Sequence, residues 1–447
     1  MGKNKVKSGN YSDDYDFNNK YKYKLHVEES KFAIHEAKEN YVKLVAKNIQ
    51  LMQNVKNRPE NMKYFEEVIT NPSSRIDDIR RFKQKGGKVI GTFCVQVPEE
   101  LVYAAGAVPI RLSCGFYEAI PLAEEVLPAN ICSLVKSSIG FPFLKINPYF
   151  DLCDVIVIPT SCDSKKKMAD ILSNIKPVWP LELPNNKDSF DGMDKWQSQV
   201  RLFKKKLEKL TGKKIAKDKI KQAIDLLYKR TELSRRLLEL RSSKKILING
   251  RDSMLVIGSA FYDDINRWMQ NLEKLCDELE QNLHNNKSIV PDDAPRLMVT
   301  GSPMIWPNFK VLNIIEEQGA VVTVDDSCAG MQYFYNPPEV VDWSEKSMMN
   351  AIANKYLLPT ICPIFLHNDD RVDRILELMQ SHSAEGVVYH IIRLCQVMDF
   401  DFEKVDHVLM SKNMPVLKIE TEYGEEDTGQ IRTRVEAFIE MIKARRA

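Results

Sequence analysis

Short apolar runs that give way to helical patterns recur along this chain, and the barest of them, DVIVI at 154–158, constrains the fold most. A run without polar alternation has no face to offer solvent, so it belongs in a sheet covered on both sides. Comparable runs at 88–93 and 108–112 flank a helix over 98–105, opened by Pro98 and stopped by Gly106. Asn130 is placed to cap a helix over 132–138, and 165–173 reads as the next one. A second series follows, with strands at 296–300, 320–324, 386–389 and 416–419 and helices over 309–318, 371–381 and 428–444. Strands alternating with helices imply parallel, doubly wound sheets, so the fold class is α/β with two lobes. Between the lobes, Pro177, Pro180 and Pro184 lead into a lysine-rich stretch from about 194 to 286 whose amphipathic spacing suggests bundle helices. The expected division is an N-terminal helical region (1–87, with a break at 71–74), a first α/β lobe (88–185), a helical segment (186–292) and a second α/β lobe (293–447).

Ligands of open α/β sheets collect beyond the carboxyl ends of the strands. Four of the nine cysteines, Cys94, Cys162, Cys328 and Cys395, fall where a strand runs out. An odd cysteine count argues against a disulfide framework, as does the polar opening MGKNKVKSGNYSDDYDF, which has no secretory core and, with Val6, no myristoylation pattern. Reduced thiols and a cytoplasmic location are expected. There is no C-x-x-C pair and no H-x-x-x-H spacing, so any metal site is assembled from distant segments. Gathered thiols suggest an iron–sulfur cluster. Cys94 precedes a helix opened by Pro98, and Cys132 lies in the first turn of its helix; both positions favour thiolate. Three thiolate ligands leave one iron open to substrate.

Other groups read more plainly. Cys276, on LEKLCDELE, and Cys362, in PTICPIF, look like core, and Cys153 precedes a strand, at the wrong edge. Asp325-Asp326 reads as a helix cap and His390 as a satisfied core histidine. Lys165-Lys166-Lys167 reads either as a phosphate attractor or as a charged helix face. Gly86-Gly87 and 211–214 are not a phosphate loop, and no G-x-G-x-x-G follows a strand, so the chain is not expected to bind ATP itself. With 64 basic and 62 acidic residues, neither nucleic acid nor an anionic membrane is expected as a partner. No apolar run approaches the about 18 to 20 residues of a spanning helix.

GTFCVQVPEELVYAAGAVPIRLSCG (91–115), VLPANICSLVKSSIGF (126–141), TSCDSKKKM (160–168), VVTVDDSCAG (321–330), EGVVYHIIRLCQ (385–396) and IETEYGEEDTGQIRTRVEAFIEMI (419–442) together resemble the 2-hydroxyacyl-CoA dehydratase family, also called the benzoyl-CoA reductase or 2-hydroxyglutaryl-CoA dehydratase D-component family. The resemblance covers most of 88–445. It implies two Rossmann-like lobes holding a 4Fe-4S cluster, with Cys94, Cys132 and Cys395 matching the family's ligands. It also implies one low-potential electron from a separate ATP-hydrolysing activator, an acyl-CoA substrate reduced at its thioester carbonyl, and a second subunit of the same family or a homodimer. A branch of the family carries a double-cubane cluster and reduces small molecules; Cys114, Cys162 and Cys328 would be its additional thiols, although INPYF at 146–150 lacks a cysteine expected in that branch. A further alternative is a non-catalytic partner subunit.

Overall fold

The computed structural model describes residues 31–446 apart from 335, 360 and 361. The N-terminal stretch read for a leader or acylation pattern lies outside the described residues. In the first lobe, β1 (Val89–Thr92), β2 (Val108–Arg111), β3 (Val155–Pro159) and β4 (Val178–Leu181) form a parallel sheet in the order β2-β1-β3-β4. In the second, β5 (Arg296–Gly301), β6 (Val321–Asp326), β7 (Gly386–Ile392) and β8 (Val416–Thr421) repeat that order as β6-β5-β7-β8, again all parallel. Strand order reverses between β1 and β3 and between β5 and β7, so each sheet has one switch point. Every residue of β3, β6 and β7 is buried, as expected of strands covered on both faces.

β4, which contains Pro180, is not among the expected strands. It pairs only with β3, and an edge strand tolerates the missing amide of Pro180. The helical stretch is four helices, Phe190–Thr211, Lys217–Arg241, Gly250–Ser259 and Ile265–His284, the first ended by Gly212 in left-handed backbone (φ +69°). The sequence does not announce helices Glu345–Leu357 and Gln396–Ser411. The former lies between β6 and β7 in the chain yet shares a core with the first sheet: Met348, Ile352 and Leu357 pack with Ile90, Val155 and Trp196. Trp196 is fully buried and its Nε1 donates to the Ala353 carbonyl at 2.8 Å. The N-terminal helix Lys31–Gln53 is tied to the second lobe by buried Asn48, whose Nδ2 donates to Pro307 O at 2.7 Å while its Oδ1 accepts from Asn313 Nδ2, also at 2.7 Å.

This packing makes the seam between the lobes sensitive to volume. Trp196→Ala removes the largest side chain there and is expected to cost about 3–5 kcal/mol, visible as a lower denaturation midpoint. It also sets a pH dependence. Burial first, and the charge of Arg241 second, hold His382 down at about 4. An unfolded histidine takes its proton near 6.5, so the folded state is disfavoured as pH falls through that window. Melting temperature should therefore drop between pH 6.5 and 4, and less steeply in His382→Gln.

Candidate functional site

Thiols gather at the carboxyl ends of the strands on both sides of the lobe junction. After β1, Phe93 turns into the core and Cys94 takes left-handed backbone (φ +57°), with its Sγ 3.6 Å from Ser161 Oγ. Cys162 follows β3 and is the N-cap of helix Asp163–Leu172, so Cys94 and Cys162 flank the first switch point. The second switch point is built by close backbone approach. Gly301 at the end of β5 has φ +99°, and a Cβ there would lie 2.2 Å from His390 O. Ser302 N donates to that same oxygen at 2.7 Å, and Ser302 Oγ accepts from Ile392 N at 3.0 Å. Leu394 follows in left-handed backbone (φ +65°), and Cys395 is the N-cap of helix Gln396–Ser411.

Cys132 comes to the same place from the first lobe. It is the N-cap of helix Ser133–Gly140, not a first-turn residue, and Asn130 lies in the preceding turn and does not cap. That helix docks on the second lobe: Ser133 Oγ donates to Glu422 Oε1 at 2.7 Å and Ser133 N to Arg393 O at 3.4 Å. Buried Lys310 holds the receiving loop, its Nζ donating to Glu422 O at 2.8 Å and to Gly424 O at 2.5 Å. Cys132, Ile120, Ile392 and Tyr423 form one small apolar cluster, with Cys395 packed against it. There the nearness of the two thiols raises Cys132 and holds Cys395 below the ordinary thiol range.

Burial pushes Cys328 up to about 12, and a charge on Cys94 adds to this. Cys362 is raised chiefly by burial too, then by Cys328 and Cys94; Cys162 is raised by burial and feels both Cys94 and Cys395. The structure thus brings Cys132 and Cys395 into contact, and sets Cys94 in a neighbouring group with Cys162, Cys328 and Cys362. Cys362 packs against the core of the first lobe, as read from sequence, and also lies within electrostatic reach of Cys328 and Cys94. Nothing in PTICPIF signals it. Tyr423 was also missed: it is buried, its hydroxyl has no partner, and its pKa is raised by burial and then by Cys132.

Several other residues lie elsewhere. Cys114 is buried beside Phe116 and Phe141 and lines a cavity of about 460 Å³ under helix Lys31–Gln53. Cys153 is buried behind β1 and donates to Tyr149 O at 3.2 Å; Cys276 is core. Asp325 and Asp326 are neither cap nor solvated turn. They end β6 fully buried, Asp325 on Arg241 at 3.0 Å and Asp326 near Arg371 at 3.7 Å. His390 is buried, its Nδ1 is 2.9 Å from Ser302 O, and burial holds it at about 4, so it stays neutral. Of the lysine run, Lys166 and Lys167 are exposed and Lys165 faces inward.

Among the described residues no three side chains converge as the ligands of a single metal ion would. A cluster spreads its thiolates over separate irons, so the looser gathering of thiols is the arrangement to compare with it. The donors are soft, starting at three helix N-termini whose free amides favour thiolate. The donor set therefore fits an iron–sulfur group.

The family model described as 2-hydroxyglutaryl-CoA dehydratase, D-component, matches residues 94–442. The chain belongs to this family. YjiM of Escherichia coli (strain K12), provisionally named a dehydratase subunit, is 31% identical over 80% of this chain and 93% of its own. The (R)-phenyllactyl-CoA dehydratase beta subunit of Clostridium sporogenes is 25% identical over 85% and 97%, and a component of the benzoyl-CoA reductase of Thauera aromatica 22% over 69% and 78%. As a member of the D-component family the chain is a component of an enzyme of the dehydratase or acyl-CoA reductase type. The matched span contains all six strand-end and junction thiols, Cys94, Cys132, Cys162, Cys328, Cys362 and Cys395.

The contact between Cys132 and Cys395 is testable in iron-free protein. Brief alkylation at neutral pH followed by peptide mass spectrometry should modify Cys395 ahead of Cys328 and Cys362, and Cys132→Ala should slow Cys395 severalfold by removing the neighbouring thiol that lowers it.

Proposed function

We propose that this chain is the iron–sulfur subunit of a radical 2-hydroxyacyl-CoA dehydratase or an acyl-CoA reductase of the benzoyl-CoA type, with Cys94, Cys132 and Cys395 holding a 4Fe-4S cluster. The observation that carries this reading is the meeting of thiols from both lobes where the carboxyl edges face each other. When bound, such a cluster supplies a low-potential electron to a thioester carbonyl. The protein's own part is positional. Ser161 lies beside Cys94, and the amide ends of helices Ser133–Gly140 and Gln396–Ser411 stabilise negative sulfur. Tyr423, with its hydroxyl unpartnered, covers the junction and keeps water away. The electron would come from a separate ATP-hydrolysing activator. The partner would be a second subunit of the same family or a second copy, and the setting the reducing cytoplasm.

A second reading is favoured by one feature, the placing of Cys328 and Cys362 beside Cys94. Those thiols with Cys162 would carry additional irons in a double-cubane cluster serving small-molecule reduction.

Protein purified without oxygen should contain about four irons and four acid-labile sulfides per chain, and Cys94→Ser, Cys132→Ser and Cys395→Ser should each lose them. Iron-free protein from anaerobically grown cells would refute the proposal. About twice as much iron, with a loss in Cys328→Ser or Cys362→Ser, would move the assignment to the double cluster.

A further inference from the structure

Buried cations in this protein come with carboxylates, with two exceptions. Among the described residues five arginines are buried: Arg111, Arg230, Arg241, Arg251 and Arg371. Four are paired, Arg230 with Glu99 at 2.9 Å, Arg241 with Asp325 at 3.0 Å, Arg251 with Glu316 at 2.6 Å and Arg371 with Asp401 at 2.6 Å. Four lysines are buried: Lys136, Lys165, Lys187 and Lys310. Three are paired, Lys136 with Glu124 at 2.7 Å, Lys310 with Asp427 at 2.6 Å, and Lys187 with Asp370. Arg111 and Lys165 have no such partner.

Arg111 is 6% exposed, and its guanidinium lies 4.4 Å from the centre of the Phe261 ring and 5.3 Å from that of Tyr333, with Nε making no hydrogen bond. Lys165 is 5% exposed; its Nζ has only Met168 Sδ at 3.5 Å and the Phe93 ring at 4.7 Å. Aromatic faces return a small part of what desolvating a cation costs. Lys165 is also in the first turn of helix Asp163–Leu172, where the helix dipole repels positive charge. Glu99, hydrogen-bonded to the Tyr333 hydroxyl on whose ring the Arg111 guanidinium lies, is already engaged by Arg230. Both exceptions occupy the thiol-bearing edge. Arg111 ends β2 in register with Thr92, two residues before Cys94, and Lys165 follows Cys162 by three residues. Each favours the thiolate of Cys328.

We propose that Arg111 and Lys165 are the buried counter-charges of an anionic iron–sulfur cluster lodged among these thiols. This rests on the cofactor reading above, and it follows from charge balance: thiolate ligands outweigh the positive charge of the cluster core, so the group they hold is an anion. Held in part by Cys94, that anion borders the edge where Arg111 and Lys165 lie beside Cys162 and Cys328, and it neutralises two cations that nothing else among the described residues neutralises. The cations in turn stabilise the more negative, reduced form, and so act as positioning and potential-setting residues, not as ligands.

The test uses Arg111→Met and Lys165→Met, with Arg111→Lys and Lys165→Arg as charge-keeping controls. In anaerobically purified protein with iron at the wild-type level, redox titration followed by electron paramagnetic resonance should place the midpoint of each Met variant at more negative potential than wild type, and the controls near wild type. An unchanged midpoint in both Met variants overturns the proposal while leaving the cluster in place, whereas wild-type protein without iron overturns the cofactor reading itself. Iron-free protein supplies the second readout. There the two cations are unpaired, so both Met variants should melt at higher temperature than iron-free wild type. A lower melting temperature in both shows the cations to be structurally paired and overturns the proposal independently of iron.

Discussion

The site depends on one docking interaction, the seating of helix Ser133–Gly140 of the first lobe on the loop that follows β8 of the second. Ser133 donates to Glu422, and Lys310 from beneath holds that loop by its carbonyls. Buried Lys136 braces the same helix, donating to Glu124 at 2.7 Å and to Ala129 O at 3.0 Å. Because Cys132 is the N-cap of this helix and Cys395 the N-cap of another, the contact brings two helix N-termini together. Two positive dipole ends facing each other are unfavourable without negative charge between them. Sulfur at the junction supplies a group able to carry it.

The two sheets make this meeting possible by sharing one topology. In each, the strand order reverses at the central pair, β1 with β3 and β5 with β7, and the chains that leave that pair part to opposite sides of the sheet. The chain also interleaves the lobes: helix Glu345–Leu357 leaves the second sheet to complete the core of the first, and helix Lys31–Gln53 binds the second through Asn48. A crevice shared by interleaved lobes is held more rigidly than one between domains on a single hinge, which suits a group needing ligands from both sides.

Much of the fold was legible because a strand buried on both faces leaves a blunt signal. VIVIP is apolar throughout and could hardly be anything else, and the same holds for the core of β7. β4 was illegible for the opposite reason: VWPL carries a proline that an edge strand accepts and a central strand does not. For the site, the thiol-at-strand-end pattern found Cys94, Cys162, Cys328 and Cys395 because it is local. The pairing of Cys132 with Cys395 is not local, being set by packing of segments far apart in the chain. The inward turn of Lys165 depends on helix phase: one residue of the KKK run faces Phe93 and Met168 while its two neighbours face water. Arg111 looked like the end of an ordinary strand, since the lack of a partner is a property of everything around it.

The backbone at the site argues in the same direction as its charges. Cys94 and Leu394 hold left-handed conformations that glycine would adopt freely, at a cost of about 1–2 kcal/mol each. Glycine meets this demand at Gly86, Gly106, Gly212, Gly301 and Gly319, and asparagine at Asn57, Asn286 and Asn413, while Lys145, His367 and Ser383 hold it as Cys94 and Leu394 do. At Gly301, beside the junction, glycine is also enforced by the 2.2 Å approach to His390 O. At position 94 no side chain is needed to turn the strand, and glycine would relieve the strain. A thiol stands there instead. Strain kept at Cys94, on the edge that also carries the unpaired buried cations Arg111 and Lys165, is accounted for when the sulfur at 94 has a partner to reach.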